Sequence, residues 1–204
     1  MRPHTKRAQQ ARETKQRIFQ TALALFEKQG IENVSIKDIA QESGCSIGNI
    51  YHYFHNKDEI VLKTLQPADE TYEEVYEELT TTEPFCSMCA TQQLAEFYCR
   101  TVEICTYTPS LLRDHYLFAI KYPDYGTLQI TGERRFQQIG IELIKKMQEE
   151  GNLAADQSPE QVLSYLVMQM RGLYADWLIS GCKYDAVAAA RKQVVLFIAG
   201  ITAV

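Results

Sequence analysis

The residues with the most chemical potential crowd into one short stretch, Gly44-Cys45-Ser46-Ile47-Gly48-Asn49-Ile50-Tyr51-His52-Tyr53-Phe54, closed by Asn56-Lys57-Asp58-Glu59. On a short helix capped by Ser46, the apolar Ile47, Ile50 and Phe54 are expected to face inward. That leaves Gly48, Asn49, His52 and Tyr53 at or near the outer face, a set suited to hydrogen bonding rather than to bond making. A second cluster, Cys86-Ser87-Met88-Cys89 with Cys99 and Cys105 following, has the CxxC spacing of a metal or redox pair. No second CxxC and no HxxxH partner accompanies it. Buried or free thiols and a metal- or thiol-responsive device therefore both stand as readings of Cys86 and Cys89. Glycine-rich phosphate loops, GxSxG and paired metal-binding histidines are all missing from the sequence. Two of the four histidines fall in the Asn49 region, leaving little for acid–base chemistry, so no enzyme, resident metal or cofactor is expected.

The elements that must position these residues read as helices throughout, and the expected fold class is all-α with about nine helices. Residues 14–29 carry Ile18, Phe19, Ala22, Leu23 and Phe26 at helical spacing, and Gly30 is a natural stop. Ser35-Ile36-Lys37-Asp38 has the form of a capping box, and the helix it opens closes at Gly44. Ala40 is the small residue that two touching helices need, Gly44 supplies the turn, and Ile39, Cys45 and Ile50 fix the crossing. Residues 35–54 thus satisfy the requirements of a helix-turn-helix, whose second helix projects toward a DNA major groove. A fourth helix, residues 57–79, contains Pro67, where a kink or break is expected. Further helices are expected at 89–107, 108–121, 127–150, 158–180 and 185–201, with a loop at 122–126.

Charge divides the chain at the same place. Residues 1–66 hold ten Lys and Arg against seven Asp and Glu, whereas the whole chain is −5. Arg2, Lys6, Arg7, Arg12, Lys15 and Arg17 oppose only Glu13 in the first twenty residues. A basic head on an acidic body is expected, with a boundary that makes 12–66 the DNA-binding domain and 67–204 a domain for effector binding and dimerisation. The basic arm at 2–17 has two readings, a tracker of phosphates or a minor groove and a disordered tail. Without a long apolar run or an apolar leader core, no membrane partner or export is expected; the reduced-thiol reading of six cysteines fits a cytoplasmic protein.

Residues 14–63 resemble the DNA-binding domain of the TetR family of repressors. The likeness is carried by the 44–54 string, by Asn56-Lys57-Asp58-Glu59-Ile60, and upstream by Ala22-Leu23-Ala24-Leu25-Phe26 and Gly30. Cys45 departs from the valine more usual in the family. The resemblance and the side-chain chemistry together imply that Asn49 reads an adenine edge. Gly48 allows close backbone approach, and Ser46, Tyr51, His52 and Lys57 reach phosphates. Tyr51 as partly core and His52 as merely solvated remain alternatives.

The resemblance further implies a regulator, by default a repressor, acting as a homodimer on palindromic double-stranded DNA and released by a small molecule. Val187, Ala190, Val194, Phe197 and Ile201 form one candidate dimer stripe, with Leu173, Trp177 and Ser180 a second; ordinary intrachain core is the other reading. Ten of the twelve tyrosines lie in the body. Tyr98, His115, Tyr116, Phe118, Tyr122, Met168, Tyr174 and Trp177 are the expected lining for a small, partly apolar effector, with Tyr107 and Tyr125 as further candidates.

Overall fold

A computed structural model describes residues 4–64, 66–121 and 134–202, with the side chains of 4–8, 62 and 66–70 left aside. Among the described residues there are ten α-helices, against about nine expected, and no strand, so the all-α class holds. The head comprises α1 (His4–Gln29), α2 (Ile36–Ser43), α3 (Ile47–Tyr53) and α4 (Lys57–Lys63). The body follows with α5 (Gln66–Thr81), α6 (Ala90–Thr106), α7 (Pro109–Lys121), α8 (Arg135–Glu149), α9 (Pro159–Ile179) and α10 (Ala186–Thr202).

The caps read from sequence form as expected. Ser35 Oγ accepts from Asp38 N at 3.2 Å while Asp38 Oδ2 accepts from Ser35 N at 2.8 Å, closing the capping box of α2. Ser158 Oγ accepts from Gln161 N at the start of α9, whose first residue is Pro159. Gly44 ends α2 at φ 66°, a left-handed conformation that glycine adopts without steric cost.

Two expectations shift. Helix α1 begins at His4, ten residues ahead of the start inferred from apolar periodicity, so the basic arm from that point is helix, not tail. The expected long fourth helix is interrupted: α4 stops at Lys63 and α5 opens at Gln66 with Pro67 second. A proline is tolerated in a first turn, where its missing N–H would have had no intrahelical partner. The 122–126 loop and the first part of the expected 127–150 helix lie outside the described residues.

Two apolar cores result. The head core holds Ile18, Phe19, Ala22 and Phe26 of α1, Ile39 and Ala40 of α2, Ile50 of α3, and Ile60 and Val61 of α4. Phe118 of α7, a body helix, completes it. The body core is centred on α6, with Leu94, Phe97, Tyr98 and Val102 packed among residues of α5, α8, α9 and α10. Helices α8 and α9 approach closely at Gly140, where a Cβ would lie 2.6 Å from a Leu163 methyl.

Candidate nucleic-acid interface and effector cavity

The turn between α2 and α3 sets the recognition surface. Cys45 N donates to Ala40 O at 3.0 Å across the turn, and Ser46 Oγ caps α3 by accepting from Asn49 N at 3.1 Å. Ile50 and Phe54 are buried and pin α3 to the head. The outer face is open: Ser46, Gly48, Tyr51 and His52 are exposed, and Asn49 is half-buried. Among the described residues, the Asn49 side-chain amide has no hydrogen-bond partner, so its donor and acceptor are available to an external edge. A Cβ at Gly48 would meet nothing within 4 Å, so the chain's own packing does not require glycine there. Tyr51 is 53% exposed, which removes the partly-core alternative for it. His52 packs edge-on against Tyr53 with centroids 5.0 Å apart.

Two residues of the motif stand differently from expectation. Ile47 was expected to face inward, yet it is 45% exposed, as the first residue of α3 and ahead of the buried Ile50. Lys57 is not a free surface cation: its Nζ donates to Ile31 O at 2.6 Å and to Val34 O at 2.9 Å. Burial lowers its pKa, opposed by the Glu32 and Asp58 carboxylates. Two of three ammonium protons are thereby used to hold the start of α4 against the segment after α1. Cys45 is half-buried against the head core, so the departure from valine is accommodated. Lys15 and Lys63 both lie over the Phe54 ring, at 5.3 Å and 5.7 Å from its centroid. Arg2 lies outside the described residues, as do the Lys6 and Arg7 side chains.

In the body, a cavity of about 390 Å³ opens between α6, α7 and α9, reaching Thr64 at the end of the head. Its walls include Tyr72, Thr101, Cys105, Leu112, His115, Tyr116, Arg134, Phe136, Met170, Arg171 and Tyr174. His115, Tyr116 and Tyr174 were anticipated from sequence. Tyr98, Phe118, Met168 and Trp177 were too, but none of them lines it. Tyr98 is core, its hydroxyl 2.7 Å from Gln193 Oε1, and Trp177 is core, donating to Tyr184 O at 2.9 Å. Phe118 turns into the head, Met168 faces outward, and Tyr107 is exposed. Tyr122 and Tyr125 lie outside the described residues. Arg134, Arg171, Thr101 and Phe136 were missed, since nothing local in sequence marks a polar or aromatic residue as cavity-facing.

His115 is the wall group whose shift bears on its charge near neutral pH. Burial, reinforced by the Arg134 charge and opposed by Asp114, takes its pKa down to about 4, so the ring is neutral at pH 7. Burial likewise raises the Tyr116 phenol; its hydroxyl donates to Arg171 O at 2.5 Å.

Helix α7 connects cavity and head. Asp114 Oδ2 accepts from Ile31 N at 2.9 Å, Phe118 enters the head core, and Lys121 pairs with Glu32 at 2.9 Å. Gly30, at φ 86°, permits this approach, since a Cβ there would stand 3.0 Å from Asp114 Oδ2.

The cysteines form no corresponding centre. Among the described residues, no group of three or more His, Cys, Asp or Glu side chains could hold a metal ion. Burial and the neighbouring Glu83 carboxylate raise the Cys86 thiol pKa, which disfavours the reactive thiolate.

Fold and surface together define a helix-turn-helix protein with an all-helical, cavity-bearing body. Residues 18–64 match the sequence profile of "Bacterial regulatory proteins, tetR family". An HTH-type transcriptional regulator of Staphylococcus aureus (strain USA300) is 38% identical over 56 residues, 28% of this chain and 30% of that protein. The chain therefore matches less than a third of that relative's length, confined to the head. FadR of Thermus thermophilus, a TetR family transcriptional repressor solved with lauroyl-CoA, is similar throughout. Its TM-score is 0.73 at 21% identity, covering 92% of this chain and 94% of that one. A Saccharomonospora viridis protein solved with choline has a TM-score of 0.61 at 26% identity, covering 91% and 95%. Its head is thus similar to the DNA-binding domain of the TetR family. No helix among the described residues is long and apolar enough to cross a membrane.

Proposed function

We propose that this protein is a sequence-specific DNA-binding transcriptional regulator, a homodimeric repressor released from a palindromic operator by a small molecule. The observation that carries it is the α3 surface, where a capped helix pinned by Ile50 and Phe54 presents Ser46, Gly48, Asn49, Tyr51 and His52 outward. Asn49 reads a base edge, Gly48 lets the backbone approach, and Ser46, Tyr51 and His52 contact phosphates. Lys57 acts chiefly by holding the α4 start in place, with its remaining proton available to a phosphate. Residues 12–66 form the reading domain and 67–204 the sensing and pairing domain, and a regulator of this kind works in the cytoplasm.

The dimer surface is revised from the expected stripe. Ala190 and Val194 are fully buried within the chain, as are Leu173 and Trp177 nearly so, and they make intrachain core. Tyr165, Met168 and Ile179 of α9, with Val195 and Leu196 of α10, are the exposed apolar residues of these two packed helices. Exposed apolar surface of this kind marks an interaction face, and two-fold pairing through it would present two heads to two half-sites.

The cavity is the effector site in this reading. Support comes from its position against Thr64 and from the ligands in the two similar structures, lauroyl-CoA and choline. The test is selection from random duplexes followed by gel shift across a salt series. A palindromic consensus bound with steep salt dependence is expected; enrichment of no sequence would overturn the reading.

A further inference from the structure

The cavity wall carries a chemical signature beyond being a pocket. Among the described residues that line it, none is Asp or Glu, and two, Arg134 and Arg171, are arginines. Among the described residues, the Arg171 guanidinium has no hydrogen-bond or ion-pair partner. Its charge reaches Tyr116, and that of Arg134 reaches the adjacent His115, so both act on the same wall. Thr101, 2% exposed and on the lining, leaves its hydroxyl without any partner. A buried hydroxyl without a partner costs stability, so a ligand that satisfies it gains what the free protein forgoes. The rest of the wall is aliphatic and aromatic, from Ile104, Leu111, Leu112, Phe136, Val167 and Met170.

We infer that the effector is an anionic amphiphile, a carboxylate or an anionic acyl thioester on an apolar body, with Arg171 and Arg134 holding the charge and Thr101 a polar contact. This rests on reading the cavity as the effector site. Guanidinium forks pair with carboxylate and phosphate oxygens, and a low-dielectric cavity strengthens the pairing. A cation of equal size would meet the unpaired Arg171 guanidinium, and among the described residues the lining holds no carboxylate to favour it. A neutral alcohol would leave the Arg171 guanidinium unpaired as its chain filled the site.

Calorimetric titration of the full chain with decanoate, decanoyl-CoA, decanol and decyltrimethylammonium tests this at matched chain length. At least one anion should bind about tenfold or more tightly than decanol, and the cation not at all. The tighter of the two anions identifies the source. Arg171→Gln should weaken the anion by about tenfold while leaving decanol unchanged. Thr101→Val should weaken it while the melting temperature holds or rises, which separates a ligand contact from a packing defect. Decanol or the cation binding as tightly as both anions, no anion binding, or an Arg171→Gln protein with wild-type anion affinity would overturn the inference. The titration contains no DNA. Anion binding by a protein that selects no duplex would refute the regulator reading and leave this one standing; duplex selection without anion binding would do the reverse.

Discussion

His115 Nε2 lies 3.1 Å from Thr64 Oγ1, joining a cavity wall to the last turn of the head. The Thr64 hydroxyl donates its one proton to Val61 O at 2.6 Å, so it can only accept from the imidazole. That assigns His115 as the Nε2–H tautomer. Anything in the cavity that protonates or displaces this ring acts on the end of α4 directly.

The depressed His115 pKa makes stability depend on pH with a definite sign. The ordinary value is near 6.5 and the folded value about 4, so between them the unfolded chain binds more protons. The stabilisation is full above pH 6.5 and is lost as pH falls toward 4. From pH 7 to pH 5 at fixed protein concentration, this group alone should remove about 2 kcal/mol. His115→Asn should flatten that part of the urea-midpoint profile; an unchanged slope would show that another group dominates.

Asp114 and Ile31 tie α7 to the head. Asp114→Ala leaves the Ile31 N–H without its acceptor and should cost roughly 1–3 kcal/mol. Asp114→Asn keeps an oxygen in place and should retain most of the stability. Gly30→Ala, strained at φ 86° and crowded by Asp114, should destabilise as well. Thermal melts of the three variants check the order.

On the reading surface, Ser46→Ala should cost about 1 kcal/mol of stability through the lost α3 cap and weaken DNA binding. Asn49→Ala should leave the melt unchanged and relax base preference at one position per half-site, worth roughly 1–3 kcal/mol of discrimination. Selected sequences from both variants, compared with wild type, decide it; two wild-type profiles would mean that α3 is not the reading helix.

For Lys57, the bonds to Ile31 O and Val34 O set the expectation. Lys57→Met should lower the melting temperature, and the slope of log affinity against log salt should change little. A slope reduced by about one with an unchanged melt would instead make it a phosphate clamp.

The two candidate pairing stripes separate cleanly. Leu196→Glu, at a position 74% exposed, should yield a folded monomer by sedimentation. Ala190→Leu, at a position fully buried inside the chain, should destabilise by overpacking, typically 1–3 kcal/mol. Dimers that survive Leu196→Glu intact would move the interface elsewhere.

How much could be read before folding differs by feature. Caps and stops were legible because they are local: Ser35 with Asp38, Gly44, and Ser158 before Pro159 each act within one turn. The first ten residues of α1 escaped because they lack apolar periodicity; Arg, Gln, Ala, Lys and Glu sustain a helix by intrinsic propensity instead. Helix α7 shows the harder limit. Tyr116 and Phe118 are two residues apart, so a helix turns them to nearly opposite sides, one into the cavity and one into the head. Both looked alike as aromatic candidates, and only the packing partners tell them apart.

By itself the sequence determined the helix-turn-helix, its caps and the helical class, since these depend on spacing within a turn or two. The tertiary structure decided which faces meet. It sent Ala190 and Val194 inward, used Lys57 on two carbonyls, and gathered Thr101, Arg134 and Arg171 from three helix regions around one cavity. Such convergence is a property of contacts between residues distant in the chain, which local pattern does not encode.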